Sequence, residues 1–347
     1  MKLAQAAATA ILVTFAFALL TLGKELIIPM VLAVFIWYLI NILADSIALI
    51  QIQSFRIPRF LCFGLALLII CGSLFLLTNV ISSSVNEVIR AAPEYQRNVE
   101  SQIDRVATML HLEESPQLNE LIRKIDFSKI LQDLGKSLAG FIGSAGLILI
   151  YTLFIFLEQK GFLPKIDHMT SDESKREVIR KILNRIYTDT KTYIGIKTFT
   201  SVMTAIVSYL IMKSVGLELA MFWALLIFLF NYIPTIGSIL ATTFPSIMAL
   251  VQFPDTMGPF AVVVIGVIAT QMVVGNIIEP RLMGNTLNLS PLVILLSLAL
   301  WGTLWGIPGA ILCVPITVVM VIIFSNFKST RPVAILLSKD GEIRPES

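Results

Sequence analysis

The sequence predicts an all-α integral membrane protein, with about seven to eight transmembrane helices, a re-entrant broken hairpin and amphipathic helices outside the membrane. Three observations carry this prediction. The 347 residues are 56% hydrophobic and 14% charged, with mean hydropathy +0.85, whereas soluble domains carry about 25% charged residues. Apolar runs of bilayer-crossing length, about 20 residues each, recur along the chain. Residues 220–326 are nearly uncharged yet broken at short intervals by Pro, Gly and Asn, as in NYIPTIGSIL, VVGNIIEPRLMGNTLNLS and GTLWGIPGAILCVP. Helix breakers at membrane depth leave N–H and C=O groups that lipid cannot satisfy. Such backbone is buried in protein or lines a watery cavity.

Taken in order, the opening MKLAQAAATAILVTFAFALLTLGK reads as a retained first span, because Ala6, Ala7 and Ala8 precede the apolar run rather than follow it as a cleavage site would. Further spans are expected at Leu26–Ala44, Phe60–Ile81, Leu138–Leu157 and Ile194–Met212. Leu219–Phe230 follows, then the broken Asn231–Gln252 and the span Phe260–Ile278. The last block, Leu289–Phe324, is too long for one simple span and is interrupted at Gly302–Gly309; it crosses once or folds back. The chain thus divides into N-terminal membrane helices (1–81), a polar segment (82–137), one span (138–157), a second polar segment (158–193), a C-terminal core with broken helices (194–327) and a tail (328–347).

Charge sets the orientation. Segment 82–137 holds seven Lys/Arg against nine Asp/Glu, and 158–192 holds eight against six. The positive-inside rule places 158–192, the loop with Arg56 and Arg59, Lys2 and the tail with Lys328, Arg331, Lys339 and Arg344 in the cytoplasm. For these signs to agree, Asn231–Gln252 must enter and leave on one face. The polar segments carry helical periodicity, at Val99, Ile103, Val106 and Leu110, at Leu118, Leu121, Ile122 and Ile125, and at Val178, Ile182, Ile186 and Tyr193. Each such helix has an apolar face to hide against a subunit, a lid, neighbouring helices or the lipid surface.

Several function classes are excluded. A net charge of +3, with no basic stripe interleaved with aromatics, gives no footprint for nucleic acid. The string LGKS at 134–137 is no P-loop, because its first glycine would fall at Ile130. His111 and His168 lack metal-ligand companions, and no hydrolase motif occurs, so no catalytic site, metal or cofactor is expected. Cys62, Cys71 and Cys313 lie in apolar runs and read as buried thiols.

Polar residues inside the broken region are the candidates for a substrate pathway. Glu279 and Arg281 bracket Pro280 at the end of an apolar run that contains Asn276 and precedes Gly284. Proline removes a backbone hydrogen bond and bends the chain, so both side chains could face a cavity, or form an interfacial pair that only anchors the helix end. Asn231 and Asn276 suit a hydroxyl-rich solute or interhelical contacts equally. Pro234, Gly237 and Pro245 break the hairpin, with Thr235 and Ser238 adding hydroxyls, and Gly302, Gly306, Pro308 and Gly309 repeat the pattern. Two interrupted segments of this kind point to a transporter's binding site, provided they meet in the fold. The carboxylates Asp45, Glu158 and Glu279 all lie near span ends, which favours a uniporter or facilitated exporter and leaves ion coupling to Glu279.

The strings FWALLIFLFNYIPTIGSILATTFPSIMAL and GNIIEPRLMGNTLNLSPLVILLSLALWGTLWGIPGAILCVPITV, with IIPMVLAVFIWYLIN and RIPRFL before them, resemble the autoinducer-2 exporter family. The resemblance implies a multi-pass protein of the bacterial inner membrane that exports autoinducer-2, a small hydroxylated signal, and assembles as a homo-oligomer, a pentamer. Its motif positions here are Asn231, Pro234, Gly237, Glu279, Pro280, Arg281, Gly284, Pro308, Gly309 and Pro315. Other members of the broader family resemble sodium(lithium)/proton antiporters. Three readings result: an exporter of a small polar solute, a cation/proton antiporter on the same fold, and a non-transporting scaffold whose polar segments recruit partners.

Overall fold

The computed structural model describes residues 2–49, 51–52, 55–109, 129, 143–169, 172–284 and 288–341. Among the described residues the fold is helical apart from a short ladder, β1 (Gln51–Ile52) with β2 (Phe55–Arg56). The helices are α1 (Lys2–Leu22), α2 (Lys24–Ala48), α3 (Arg59–Met109), α4 (Ala145–Met169), α5 (Glu173–Ser214), α6 (Ala220–Phe230), α7 (Ile236–Gln252), α8 (Met257–Val273), α9 (Glu279–Met283), α10 (Pro291–Trp305), α11 (Ile307–Ser325) and α12 (Arg331–Leu337), with a π-helical turn, Val274–Ile278, fusing α8 to α9. Among the described residues six helical stretches are long and apolar enough to cross a membrane: α2, Arg59–Ser84, Ala145–Phe162, α5, Met257–Met283 and α11. The apolar helices α6, α7 and α10 are shorter.

Two boundaries drawn from composition fall inside unbroken helices. α3 runs for 51 residues through Ile81 into the polar segment, and α5 runs for 42 residues through Tyr193 into the core. A helix needs only local hydrogen bonds, so it crosses a change of polarity without a break. Asp172 caps α5 by accepting from the N–H groups of Ser174 and Lys175. Leu110 and residues 118–125 lie outside the described residues, as do His111 and LGKS.

Single glycines join two helix pairs with opposite results. Gly23, at φ −86° and ψ 6°, keeps helical hydrogen bonds on both sides, from Gly23 N to Leu19 O and from Ile27 N to Gly23 O. The chain bends there without reversing, and the Trp305 indole donates to the Leu20 carbonyl at 3.0 Å. Gly306, at φ 65°, lies in the region that favours glycine and turns α11 back along α10. Ser297 and Thr317 then meet at 2.5 Å, and Ser297 also donates to Cys313 O. The last apolar block therefore folds back.

α6 and α7 pack as a second hairpin. Gln252, at the end of α7, accepts from Glu218 N and donates to Gly216 O, which ties the two ends of the hairpin together. The core gathers around α6, with Phe222, Trp223, Leu226 and Ile227 buried against Met248, Val263 and Trp301. Near the middle of α5, Lys191 pairs with Asp45 of α2 at 2.5 Å, and Trp37 donates to Gln159 of α4.

Candidate functional site

A cavity of about 690 Å³ lies where α5, the α6–α7 turn, α7 and the α8–α9 junction converge. Each wall has a local cause. On the hairpin side, Ile236 N donates to Pro234 O at 2.6 Å, which makes Thr235 the centre of a γ-turn at φ 59°, ψ −61°. Such turns are rare and strained, and this one exposes Thr235 at the hairpin tip. Gly237 permits it: a Cβ there would lie 1.8 Å from Phe230 O. On the α8 side, Pro280 cannot donate, and its ring would clash with the carbonyl four residues back, that of Asn276. The helix widens instead, and Glu279 N donates to Val274 O, five residues back. π-Turns of this kind concentrate at functional sites.

The hairpin, α8–α9 and α5 are joined by polar contacts. Glu279 accepts from Lys197 Nζ at 2.6 Å and from Thr200 Oγ1 at 3.3 Å. The two charged side chains are 13% and 19% exposed. At that burial an effective dielectric well below that of water makes the attraction strong, and removing one partner strands the other charge. Asn231 Oδ1 accepts from Gln271 of α8 at 3.2 Å, and the Tyr232 hydroxyl meets Thr198 of α5 at 2.7 Å. The turn is thus held from both sides while its hydroxyls stay open to the cavity. The lining offers amide and hydroxyl groups beside one charge pair of zero net charge, on walls that are otherwise apolar. This chemistry suits a small, neutral, hydroxylated molecule.

Of the residues singled out in the sequence, Asn231, Pro234, Thr235, Ser238, Asn276 and Glu279 line this cavity. Gly237 and Pro245 are buried in α7 behind it, and Pro245, expected to break the hairpin, instead lies within the continuous helix. Arg281 is exposed and outside the lining; Glu279 pairs with Lys197 of α5. Pro280 shapes the wall from outside, and Gly284, at φ 50°, ends α9. Gly302, Gly306, Pro308 and Gly309 do not line the cavity. Their turn lies beside Leu20 of α1, so the two sets of breakers do not share one site. The second hairpin contributes Ile294 and Val314 to the lining instead.

Sequence reading missed Lys197, Thr200 and Gln271. A signal for Lys197 was present, since it stands inside the apolar run Ile194–Met212 and an ionisable residue within a span marks a functional site by default. Reading the spans for carboxylates alone passed over it.

The profile of the family described as AI-2E family transporter matches residues 9–329. The chain is 30% identical over 322 residues to the AI-2 transport protein TqsA of Escherichia coli (strain K12), covering 91% of this chain and 90% of that protein. A putative transport protein of Haemophilus influenzae is 31% identical over 326 residues, 91% of each chain. The putative transport protein YhhT of Escherichia coli is 28% identical over 332 residues, 94% of this chain and 90% of that one. Six bilayer-length apolar helices and this match over nearly the whole chain make it a multi-pass membrane protein. The chain belongs to the AI-2E family of transporters.

Proposed function

We propose that this chain is a secondary-type transporter that exports a small polar solute, with autoinducer-2 as the leading substrate. The observation that carries the reading is the cavity, which sets Asn231, Thr235, Ser238 and Asn276 around the Lys197–Glu279 pair, with strained and widened backbone on two walls. The name of the Escherichia coli relative supports autoinducer-2. The α6–α7 hairpin is read as re-entrant. Eleven residues of α6 rise about 16 Å, short of a hydrocarbon core of about 30 Å, and the ends of the hairpin meet at Gly216–Glu218 and Gln252. Arg281, Gly284 and the breakers from Gly302 to Gly309 gate or frame the pathway from a distance. In this reading the protein sits as a homo-oligomer, a pentamer, in the bacterial inner membrane, with residues 158–193 and the tail in the cytoplasm.

Counterflow in proteoliposomes tests the reading. Vesicles loaded with unlabelled autoinducer-2 should accumulate the labelled form only when the protein is present. Glu279→Gln and Asn231→Ala should lower the rate while expression and assembly stay intact, and wild-type rates in both would overturn the site assignment. One observation favours the sodium(lithium)/proton antiporter as the second reading: Glu279, the carboxylate it needs, is half of a part-buried pair. A vesicle pH dye that stays flat on sodium or lithium addition counts against it.

A further inference from the structure

Several polar side chains of the lining are already engaged within the protein. Ser238 and Thr242 each donate their hydroxyl proton to a carbonyl one turn back, Thr235 O and Ser238 O, and Thr204 donates to Thr200 O. Lys197 and Glu279 hold each other. One contact leaves more capacity than it uses. Gln271 Nε2 of α8 donates to Oδ1 of Asn231, at the end of α6, at 3.2 Å. Both residues line the cavity and are half-buried.

A carboxamide carries one acceptor oxygen and an NH2 group with two donors. The contact takes the oxygen of Asn231 and one N–H of Gln271. Gln271 Oε1 and Asn231 Nδ2 remain, with no partner among the described residues, and neither is sealed from the cavity. The pair therefore offers a free acceptor and a free donor, and each amide keeps the other from turning. Asn276 and Thr235 also line the cavity, but they are exposed and no hydrogen bond among the described residues fixes their side chains. The backbone under the pair is fixed as well. Asn231 N donates to Ile227 O at 3.0 Å, and Gln271 O accepts from Val274 N, where the widened turn begins.

Buried wholly between helices, this contact would be an ordinary packing device. In a cavity wall it can read a solute. A solute hydroxyl satisfies both free groups, because it donates to Oε1 and accepts from Nδ2. An ammonium only donates and leaves Nδ2 facing another donor. A carboxylate only accepts and leaves Oε1 facing another acceptor. Neither charge finds a counter-ion, since Lys197 and Glu279 neutralise each other, and two neutral amides replace little of the hydration a charge loses. Sites that hydrogen-bond a hydroxyl reject analogues that cannot replace it, because the site's own groups are left unpaired.

We propose that Gln271, positioned by Asn231, selects an uncharged hydroxyl over an ammonium or a carboxylate at the same position of the solute. The solute class is then the neutral polyols. The proposal rests on the reading of this cavity as the solute site and adds the atoms that choose the solute.

Glycerol and serinol, which carries an ammonium in place of the central hydroxyl at neutral pH, form a matched pair for the test. Saturation-transfer NMR on the full chain, in a detergent without sugar groups, reads the contact of each compound with the protein. Glycerol should receive several-fold more saturation than serinol from the wild type. In Gln271→Glu, Asn231 turns its NH2 to the new carboxylate and only acceptors face the cavity, so the order should reverse. Asn231→Asp keeps the bond from Gln271 but replaces the free donor with a negative acceptor. It should reverse the order too, and it decides the matter if the first variant misfolds. Gln271→Met, close in volume, should weaken glycerol several-fold, the worth of one hydrogen bond. Equal or absent saturation of the two compounds in the wild type overturns the proposal. So does an unchanged order in the charge variants, which would leave the pair a packing contact. Counterflow of labelled autoinducer-2 through the wild type separates this from the reading beneath it, with glycerol expected to compete better than serinol. Absent counterflow with the NMR order intact would overturn transport and leave the pair standing. Intact counterflow with no preference for glycerol would overturn the pair and leave transport standing.

Discussion

The hairpins α6–α7 and α10–α11 use the same local device and end in different roles. In each, a glycine in the first turn of the second helix lies against a carbonyl of the first: Gly237 against Phe230 O, and Gly309 against Trp301 O, where a Cβ would come within 1.8 and 1.9 Å. Beyond that turn they diverge. The turn into α7 exposes Thr235, Ser238 and Ile239 and gives hydroxyls to a cavity. α11 buries every residue from Gly309 to Pro315, and its polar atoms close on themselves through Ser297, Thr317 and Cys313 O. A helix apolar all round belongs in a core, whereas one with a polar face needs water or solute beside it. Breakers in a membrane sequence therefore mark backbone that must be buried or wetted, and the neighbouring side chains decide which.

The comparison can be broken most sharply at the charge pair that shares a cavity with the polar turn of the first hairpin. Lys197→Ala should destabilise the protein by about 1–3 kcal/mol, because the part-buried Glu279 loses its counter-ion and keeps only the Thr200 hydrogen bond. Lys197→Met/Glu279→Gln should recover much of that stability without recovering transport. Thermal unfolding in detergent, run beside counterflow, checks both; a double variant that transports at the wild-type rate would remove the pair from the site.

The glycines come next. Gly309→Ala should cost about 1–3 kcal/mol through overpacking against a backbone that cannot yield. Gly237→Ala meets an equally close carbonyl, but its turn borders open space. It should therefore lose less stability and more transport, and the same two assays should rank the two variants in opposite order. Identical rankings would mean that both hairpins are structural.

Thr235→Gly is a gentler probe. Relief of its positive-φ γ-turn should stabilise the protein by about 1 kcal/mol, and a drop in transport alongside that gain would show that the strain holds the hydroxyl in place. The smallest effect lies far from both hairpins. The hydrogen bond from Arg180 holds the Asp167 carboxyl below its usual range, with the bidentate contact at 2.6 and 3.0 Å. A depressed carboxylate stabilises above its unfolded pKa and loses that contribution as pH falls through the folded value. Protease accessibility of the α4–α5 elbow should therefore rise slightly on acidification below about pH 4, and Asp167→Asn should be insensitive over the same range.

An all-helical membrane fold and six residues of the lining were legible in the sequence, because each depends on composition or on a breaker that acts locally, whereas six helices rather than seven to eight are long and apolar enough to cross among the described residues. Glu279 could be named, but its partner was not. Arg281, two residues away, was the near choice, yet the π-turn rotates Glu279 towards α5 and leaves Arg281 exposed. Lys197 was visible as an intramembrane cation, while Thr200 and Gln271 were ordinary span residues until the fold brought them to Glu279 and Asn231.

By itself the sequence determined that this chain lies in a membrane, that its helices break near Pro234 and Gly306, and which side chains are too polar to face lipid. These follow from the solvation of single residues and short stretches, which no fold can change. Only the tertiary structure decided which break lines a cavity and which is buried, that Gly23 bends the chain while Gly306 reverses it, and that Lys197 answers Glu279 across 82 residues of chain. Those outcomes depend on which helices pack together, and therefore on long-range register. Composition and periodicity record the face a helix must hide, but not the neighbour that hides it.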